Sequence, residues 1–424
     1  MLQVTFIREN KDLTIAGLRK KRFKNPEEVV EKVLTIDAQR RETQVQLDSL
    51  NAKINANSKE VGNLMKAGKK DEAEGLKAET AGAKTSVKEL EAKLAELEQQ
   101  LTLELYKLPN LPHASVPEGA TADDNEVVLQ HGEIKNLPDT ALPHWDLIKK
   151  YDIIDFELGV KIAGAGFPVY KGKGARLQRA MINFFLDEAQ KAGYLEVQPP
   201  IVVNEASGYG TGQLPDKEGQ MYFIQEDGLY MIPTAEVPIT NLYRDVIVNP
   251  KDLPIKNVGY TPCFRREAGS WGSHVRGLNR LHQFDKVEIV QITQPEKSYQ
   301  TLEEMSAYIQ SLLQKLELPY RVLRLCGGDI SFNAALCYDM EVYSAAQKRW
   351  LEVSSCSNFE TFQANRLKLR YKDENNKTTL LHTLNGSALA LPRILAALLE
   401  NNQTPEGIMI PKILQPYTGF DKIN

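Results

Sequence analysis

The chain has 424 residues, with 42% hydrophobic and 25% charged, and its 52 Lys and Arg against 56 Asp and Glu leave a net charge of -4. That length allows two or three domains around a sizeable core, and the near balance of charge means that any polyanion must meet a local basic patch. No run approaches the roughly eighteen apolar residues of a membrane span, MLQVTFIRENKD lacks a signal-peptide pattern, and Cys263, Cys326, Cys337 and Cys356 form no CxxC pair, which excludes membrane-spanning, disulfide-framework and thiolate-zinc classes and leaves a cytoplasmic location as the expectation.

Two long helices are predicted between Asn25 and about Leu105, where Glu, Lys, Gln, Ala and Leu dominate and aromatic residues are missing. Asn25 is read as a capping residue, with Pro26 at the first helical position and Glu27 and Glu28 in the first turn. In the second helix Ala83, Val87, Leu90, Leu94, Leu97 and Leu101 alternate spacings of four and three, the seam of a coiled coil. The first answers with Val33, Ile36, Leu47, Leu50, Ile54, Val61 and Leu64, interrupted by Arg40 and Asn57. Between Met65 and Gly75 the pattern breaks at KAGKKDEAEG, so the helices are expected to fold back as an antiparallel hairpin, an arm of roughly 60 Å at about 1.5 Å per residue. Such an arm either dimerises or recognises a ligand, and heptads alone do not say which.

After Tyr106 the prolines and turn residues of LPNLPHASVPEGATADDN end the helix and predict a linker over 109–125. Downstream, Leu177, Met181, Phe184 and Phe185 form the stripe of a helix from Gly174 to Ala192, stopped by Gly193 before a strand at Tyr194–Val197 that runs into Pro199 and Pro200. The alternating runs YRVLRL, DMEVY and WLEVSS predict an antiparallel sheet, and no βαβ alternation or GxGxxG turn supports a Rossmann domain. The fold class is therefore α+β: a long helical hairpin followed by a domain of mixed helices and strands.

The stretch from Cys263 to Glu288, CFRREAGSWGSHVRGLNRLHQFDKVE, carries the strongest functional signal. On extended strands the period of two places Arg265 with Glu267, and His282 with Phe284 and Glu288, on common faces. Arginine binds a phosphate bidentately, a carboxylate accepts from an exocyclic amine, and an aromatic ring offers a flat face to a base. Arg276 and Arg280, among Gly269, Gly272 and Gly277, would let the loop close over polyphosphate.

Gly193–Pro200 resembles motif 1 of class II aminoacyl-tRNA synthetases, CFRRE through FDKVE resembles motif 2, and LNGSALALPRILAALLEN from Leu384 to Asn401 resembles motif 3. With GTGQLP at Gly210–Pro215, TAE at Thr234–Glu236, EVSSCSN at Glu352–Asn358 and the helical hairpin before them, the chain resembles the seryl-tRNA synthetase family over essentially its whole length. The resemblance implies a tRNA-binding domain over 1–108 with its coiled coil at about 26–104, the linker, and a catalytic domain over 126–424 built on an antiparallel sheet flanked by helices. It implies activation of L-serine by ATP to seryl-adenylate and transfer to the terminal adenosine of tRNA(Ser), with tRNA(Sec) a further candidate.

By the same resemblance Arg265 holds the α-phosphate and the serine carboxylate, Glu267 reads the adenine amine, Phe284 stacks on the ring, and Arg393 covers the other face and reaches the γ-phosphate. Arg266, Leu281, Val353 and Ser354 complete the ATP set, and Glu352 with Ser355 would hold Mg2+. Thr234, Ala235, Glu236, Glu288, Asn385 and Ser387 form the implied serine pocket together with Arg265. Lys66, Lys69 and Lys70 near the arm tip would meet RNA phosphates, and motif 1 implies a homodimer. Two departures stand out: Tyr343, Ser344, Ala345 and Ala346 follow the Asp339–Val342 stretch where the family commonly has Trp and Pro, and Asp155–Gly166 is unusual without a functional reading.

Overall fold

The computed structural model describes all residues except 139, 217 and 268–274. It divides into two compact units: Leu2–Arg19 with Phe23–Pro109, and Met1 and Lys20–Arg22 with Asn110–Asn424.

The first unit is dominated by two helices, Pro26–Lys66 and Lys70–Lys107, of 41 and 38 residues. They run antiparallel, since Lys32 meets Glu104 at 2.8 Å and Lys53 meets Glu79 at 2.6 Å, so that one number rises as the other falls. Val33, Ile36, Leu47, Leu97 and Leu101 of the expected seam are buried. The reversal is tighter than the broken pattern suggested: it takes Ala67 to Lys69 around Gly68 at φ +79°, a left-handed conformation that glycine adopts without penalty, and the helix then resumes with Asp71 and Glu72 in its first turn. Asn25 does precede the first helix, but its backbone is left-handed and its side chain caps no main-chain N–H; its amide reaches Glu28 at 3.4 Å instead.

Arg40 interrupts the seam because it serves a buried charge. Asp37, fully buried, accepts from Arg8 at 2.8 Å, Arg40 at 3.0 Å and Arg41 at 3.0 Å. Burial pushes the Asp37 carboxyl up, and hydrogen bonds from Arg40 and Arg8 outweigh it, holding the group below its ordinary value. Asp37→Ala leaves three guanidinium groups facing one another and is expected to destabilise this unit by about 2 kcal/mol, less than for a fully buried pair because the arginines stay partly hydrated; calorimetric melting of the intact chain checks it.

The second unit is built on an eight-stranded sheet. In spatial order its strands are Glu126–His131, Tyr320–Arg324, Leu336–Ser344, Arg349–Asn358, His382–Ala390, Gln283–Thr293, Ile255–Phe264 and Leu195–Glu196. Every pairing is antiparallel except the last, where Leu195–Glu196 runs parallel to Ile255–Phe264. The helix Gly172–Lys191 buries the predicted stripe of Leu177, Met181, Phe184 and Phe185, and the helices Ser298–Lys315 and Leu391–Asn401 bury further apolar faces in the same core.

Within the predicted linker 109–125, Asn110 is buried, its main-chain N–H donates to the Phe332 carbonyl at 2.9 Å, and Val116 joins the core. The prolines end the arm helix but do not keep the segment from packing, because its main-chain groups find partners in the domain. The strand that was to carry Arg265 and Glu267 stops at Phe264, and Glu267 has φ +49°, so these side chains do not share a strand face. Gly269 and Gly272 fall outside the described residues.

Asp155–Gly166 forms a short helix, Phe156–Ala163, capped by Asp155 accepting from Leu158 N at 2.9 Å, with Ile162 75% exposed.

Candidate functional site

The strand Gln283–Thr293 lies between its two neighbours and runs below a cavity of about 600 Å³. Most of the predicted site residues line it: Thr234, Glu236, Arg265, Glu267, Leu281, Phe284, Glu352, Val353, Ser354, Ser355, Asn385, Ser387 and Arg393. They arrive from five separate stretches of chain, which only the sheet brings together.

At one end Arg265 lies over the Phe284 ring, its guanidinium carbon 5.2 Å from the centroid, and its Nε donates to the Pro233 carbonyl at 3.3 Å. This ties motif 2 to the loop that carries Thr234 and Glu236. Glu267 pairs with Arg280, so a base arriving here exchanges one hydrogen-bond partner of the carboxylate for another. Arg276, expected over polyphosphate, instead sits on Trp145, 4.7 Å from its ring centre.

At the other end is a buried carboxylate pair. Glu236 begins the helix Glu236–Asn241, where Thr234 Oγ accepts from its main-chain N–H at 3.3 Å, and Gln363 Nε2 donates to its Oε1 at 2.6 Å. Glu288 is fully buried and accepts from Asn385 at 2.6 Å, Ser387 at 3.2 Å and Lys286 at 2.9 Å. Burial, with the charge of Glu288 adding to it, pushes the Glu236 carboxyl up to about 7 against the opposing effects of Gln363, Lys286 and Arg265. A cationic guest relieves exactly this surplus of buried negative charge, and an amino-acid ammonium is of the right size.

On the third wall a β-bulge does what sequence spacing does not. Met340 pairs with Ser354 and Glu341 with Glu352, so Val353 is an extra residue. Glu352 and Ser355, three apart and due to face opposite sides of a regular strand, therefore both reach the cavity. Arg393, from the first turn of Leu391–Asn401, donates Nη1 to the Glu352 carbonyl at 2.8 Å and Nε to the Asn279 carbonyl at 3.0 Å. Behind Ser355, the Asp339 carboxyl is raised by burial and by the negative charge of Glu352. This hard-oxygen donor set suits a magnesium ion shared with phosphates, although among the described residues no three His, Cys, Asp or Glu side chains form a ready-made metal cluster.

Three predicted residues sit elsewhere. Ala235 is buried against Ile239 and Val290, Arg266 is exposed with its main-chain N–H on the Gln220 carbonyl at 2.9 Å, and Glu288 forms the floor beneath the lining groups rather than lining the cavity. Sequence reasoning missed Lys286, which lines the cavity from the same strand face as Phe284, and Gln363. It also missed Gln220, Asn279 and Asn333, whose buried amide oxygens line the cavity without a partner among the described residues. Lys286 had a signal in the period of two; the amides had none.

An antiparallel sheet whose cavity holds an arginine from one hairpin, a second arginine from the helix after the last strand, and carboxylates between them defines a class II aminoacyl-tRNA synthetase core. The family model for the class II core domain of the Gly, His, Pro, Ser and Thr enzymes matches residues 222–402, and that for the seryl-tRNA synthetase N-terminal domain matches residues 1–112. A serine–tRNA ligase of Salinibacter ruber is 50% identical over 100% of this chain and 99% of its own length. A crystal structure of seryl-tRNA synthetase from Pyrococcus horikoshii complexed with ATP matches at TM-score 0.93 and 33% identity, covering 100% of this chain and 99% of that one. A cytoplasmic serine–tRNA ligase of Naegleria fowleri in complex with AMP matches at TM-score 0.88 and 27% identity, with the same coverage. The chain belongs to the seryl-tRNA synthetase family.

Proposed function

We propose that the cavity forms seryl-adenylate and charges tRNA with it, with the residues above in the roles that follow. The activity is that of a serine–tRNA ligase, in keeping with the family and with relatives matched over full length. The observation that carries the site assignment is the convergence of Arg265, Arg393, Glu236, Asn385 and Ser387 on one cavity floored by a buried carboxylate.

Serine enters with its ammonium toward Glu236 and Thr234 and its hydroxyl toward Asn385 and Ser387, which Glu288 holds in place. Arg265 binds both the serine carboxylate and the ATP α-phosphate, so the carboxylate oxygen attacks phosphorus where the developing charge is neutralised, and pyrophosphate leaves. Phe284 stacks on adenine, Glu267 accepts from its amine, and Arg393 meets the γ-phosphate. Glu352 and Ser355 would hold Mg2+, which would supply positive charge to screen the phosphates. In the second step a ribose hydroxyl of the terminal adenosine attacks the acyl carbon and AMP departs. The protein supplies position and charge rather than a covalent intermediate. Alanine would leave buried polar groups unpaired, and threonine, one methyl larger, must be excluded by size.

The arm serves as the tRNA contact. Lys66, Lys69 and Lys70 are exposed near its turn, with Lys69 also paired to Glu72 at 3.0 Å. Reversing all three to Glu is expected to raise the KM for tRNA(Ser) about tenfold and to leave serine-dependent pyrophosphate exchange unchanged; a loss of both would remove the arm from the reading. Charging of tRNA(Sec), the cytoplasmic location and the homodimer belong to the same proposal. For the homodimer the support is the outer edge strand, where Leu195 is 66% exposed beside a groove lined by Ile247, Val246 and Tyr243. Among the described residues no helix is long and apolar enough to cross a membrane.

A further inference from the structure

Away from the cavity wall, a buried polar network joins motif 2 to Glu400 of motif 3 through His144, Ser344 and Gln347, which neither motif contains. His144 and Glu400 are both fully buried, 256 residues apart in sequence. Glu400 Oε1 accepts from the main-chain N–H of His144 at 2.9 Å and from its ring Nδ1 at 2.7 Å. The opposite ring nitrogen, Nε2, accepts from the main-chain N–H of Leu278 at 2.9 Å, so the hydrogen-bond partners assign the ring proton to Nδ1. Gln347 adds a second bridge, donating to Glu400 Oε1 at 2.9 Å while accepting from Asn279 Nδ2 at 3.0 Å. Ser344 donates to the other Glu400 oxygen.

These contacts hold the end of the motif 2 loop, Arg276–Asn279, from below. Gly277 is at φ +68° and so close to the imidazole that any Cβ there would collide with Nε2. Trp145, the next residue along, carries the Arg276 guanidinium on its ring at 4.7 Å. What is held matters to the cavity: Leu278 and Asn279 line it, the Asn279 carbonyl accepts from Arg393 Nε at 3.0 Å, and Asn279 Oδ1 is buried without a partner among the described residues. Arg393 and Glu400 are seven residues apart on one helix, two turns, and therefore on one face. That helix grips the loop twice, through Arg393 at the cavity and through Glu400 and His144 behind it.

We infer that His144 and Trp145 are positioning residues for ATP. They fix Leu278–Asn279 so that Arg393 is aimed at the polyphosphate and Asn279 Oδ1 stands ready to accept from the nucleotide, and they leave the serine end of the cavity untouched. The same network gives Ser344, part of the departure from the family pattern, a place in the site. The inference rests on the proposed ATP site.

The test is serine-dependent ATP–pyrophosphate exchange by the full chain, with ATP and serine titrated separately. His144→Asn keeps an amide donor for Glu400 but loses the acceptor for Leu278 N; it is expected to raise the KM for ATP about tenfold and to leave the KM for serine within about twofold. His144→Gln, whose longer amide can reach Leu278 N, is expected to recover most of that loss. Trp145→Leu is expected to raise the KM for ATP about threefold. A folded His144→Asn protein with both KM values unchanged, or both raised together, would overturn the inference. Should His144→Asn not fold, Trp145→Leu decides, and an unchanged KM for ATP overturns it. Arg265→Ala separates this failure from that of the site: exchange that survives Arg265→Ala condemns the site itself, whereas a dead Arg265→Ala beside an unaltered His144→Asn condemns only the clamp.

Discussion

Arg265→Ala is expected to lower serine-dependent ATP–pyrophosphate exchange by about a thousandfold or more, with little change in melting temperature. The guanidinium lies half-exposed at the cavity between the Phe284 ring and the loop that presents Glu236, where serine carboxylate and α-phosphate must meet. Two anions brought together in a cavity already floored by carboxylates repel each other, and the cation that offsets this is worth most when charge is concentrating on phosphorus. Removing a single preorganised donor from such a site typically costs about 10²–10³ in rate, and an arginine on transferring phosphate more. Stability should barely move, because among the described residues the side chain makes one hydrogen bond, 3.3 Å to the Pro233 carbonyl, and is not part of the core. Arg265→Lys restores the charge but not the two-pronged geometry and should recover only a minor part of the activity. Exchange that is reduced less than tenfold by Arg265→Ala would move the chemistry away from this residue.

Glu236→Gln is expected to act with opposite signs on serine binding and on stability. The Glu236 carboxyl stands at about 7 in the folded chain because burial and the neighbouring Glu288 disfavour its charge, against an ordinary value of 4.5. Its folded value lies above its unfolded one, so the cost to stability is absent below about pH 4.5, grows as pH rises, and is complete above about pH 7, where it amounts to about 3 kcal/mol. Glutamine keeps the acceptor for Gln363 and carries no charge. The variant should therefore melt higher than the parent at pH 8, and the gap should close toward pH 5. Binding runs the other way: an ammonium seeks the ionised carboxylate, so the KM for serine should rise about a hundredfold in Glu236→Gln. In the parent enzyme kcat/KM for serine should climb with pH up to about 7, and the variant should lack that limb. A variant that melts lower at pH 8, or that binds serine normally, would contradict the assignment.

The heptad seam made the arm legible because a coiled coil is a local pattern repeated: Leu97 and Leu101 pack where their spacing says they should. The turn was less so, since Gly75 lies inside the second helix, where tertiary pairing absorbs its cost of about 1 kcal/mol. At the site, the period of two found Phe284 and Glu288 but not Lys286 between them, because a lysine in a strand reads as solvent-facing until its buried partner is seen. Glu352 and Ser355 share a wall only through the bulge at Val353, a property of pairing rather than of one strand. His144 and Glu400 meet across 256 residues, and nothing in either local sequence announces the other.

The most direct test of the central claim is amino-acid-dependent ATP–pyrophosphate exchange measured side by side with serine, threonine, alanine, glycine and cysteine. The cavity, with its buried carboxylates and the hydroxyl partners Asn385 and Ser387, predicts exchange driven by serine, with alanine and glycine weaker by orders of magnitude because they leave those partners unpaired. Exchange driven equally by alanine, or absent with serine, would contradict it.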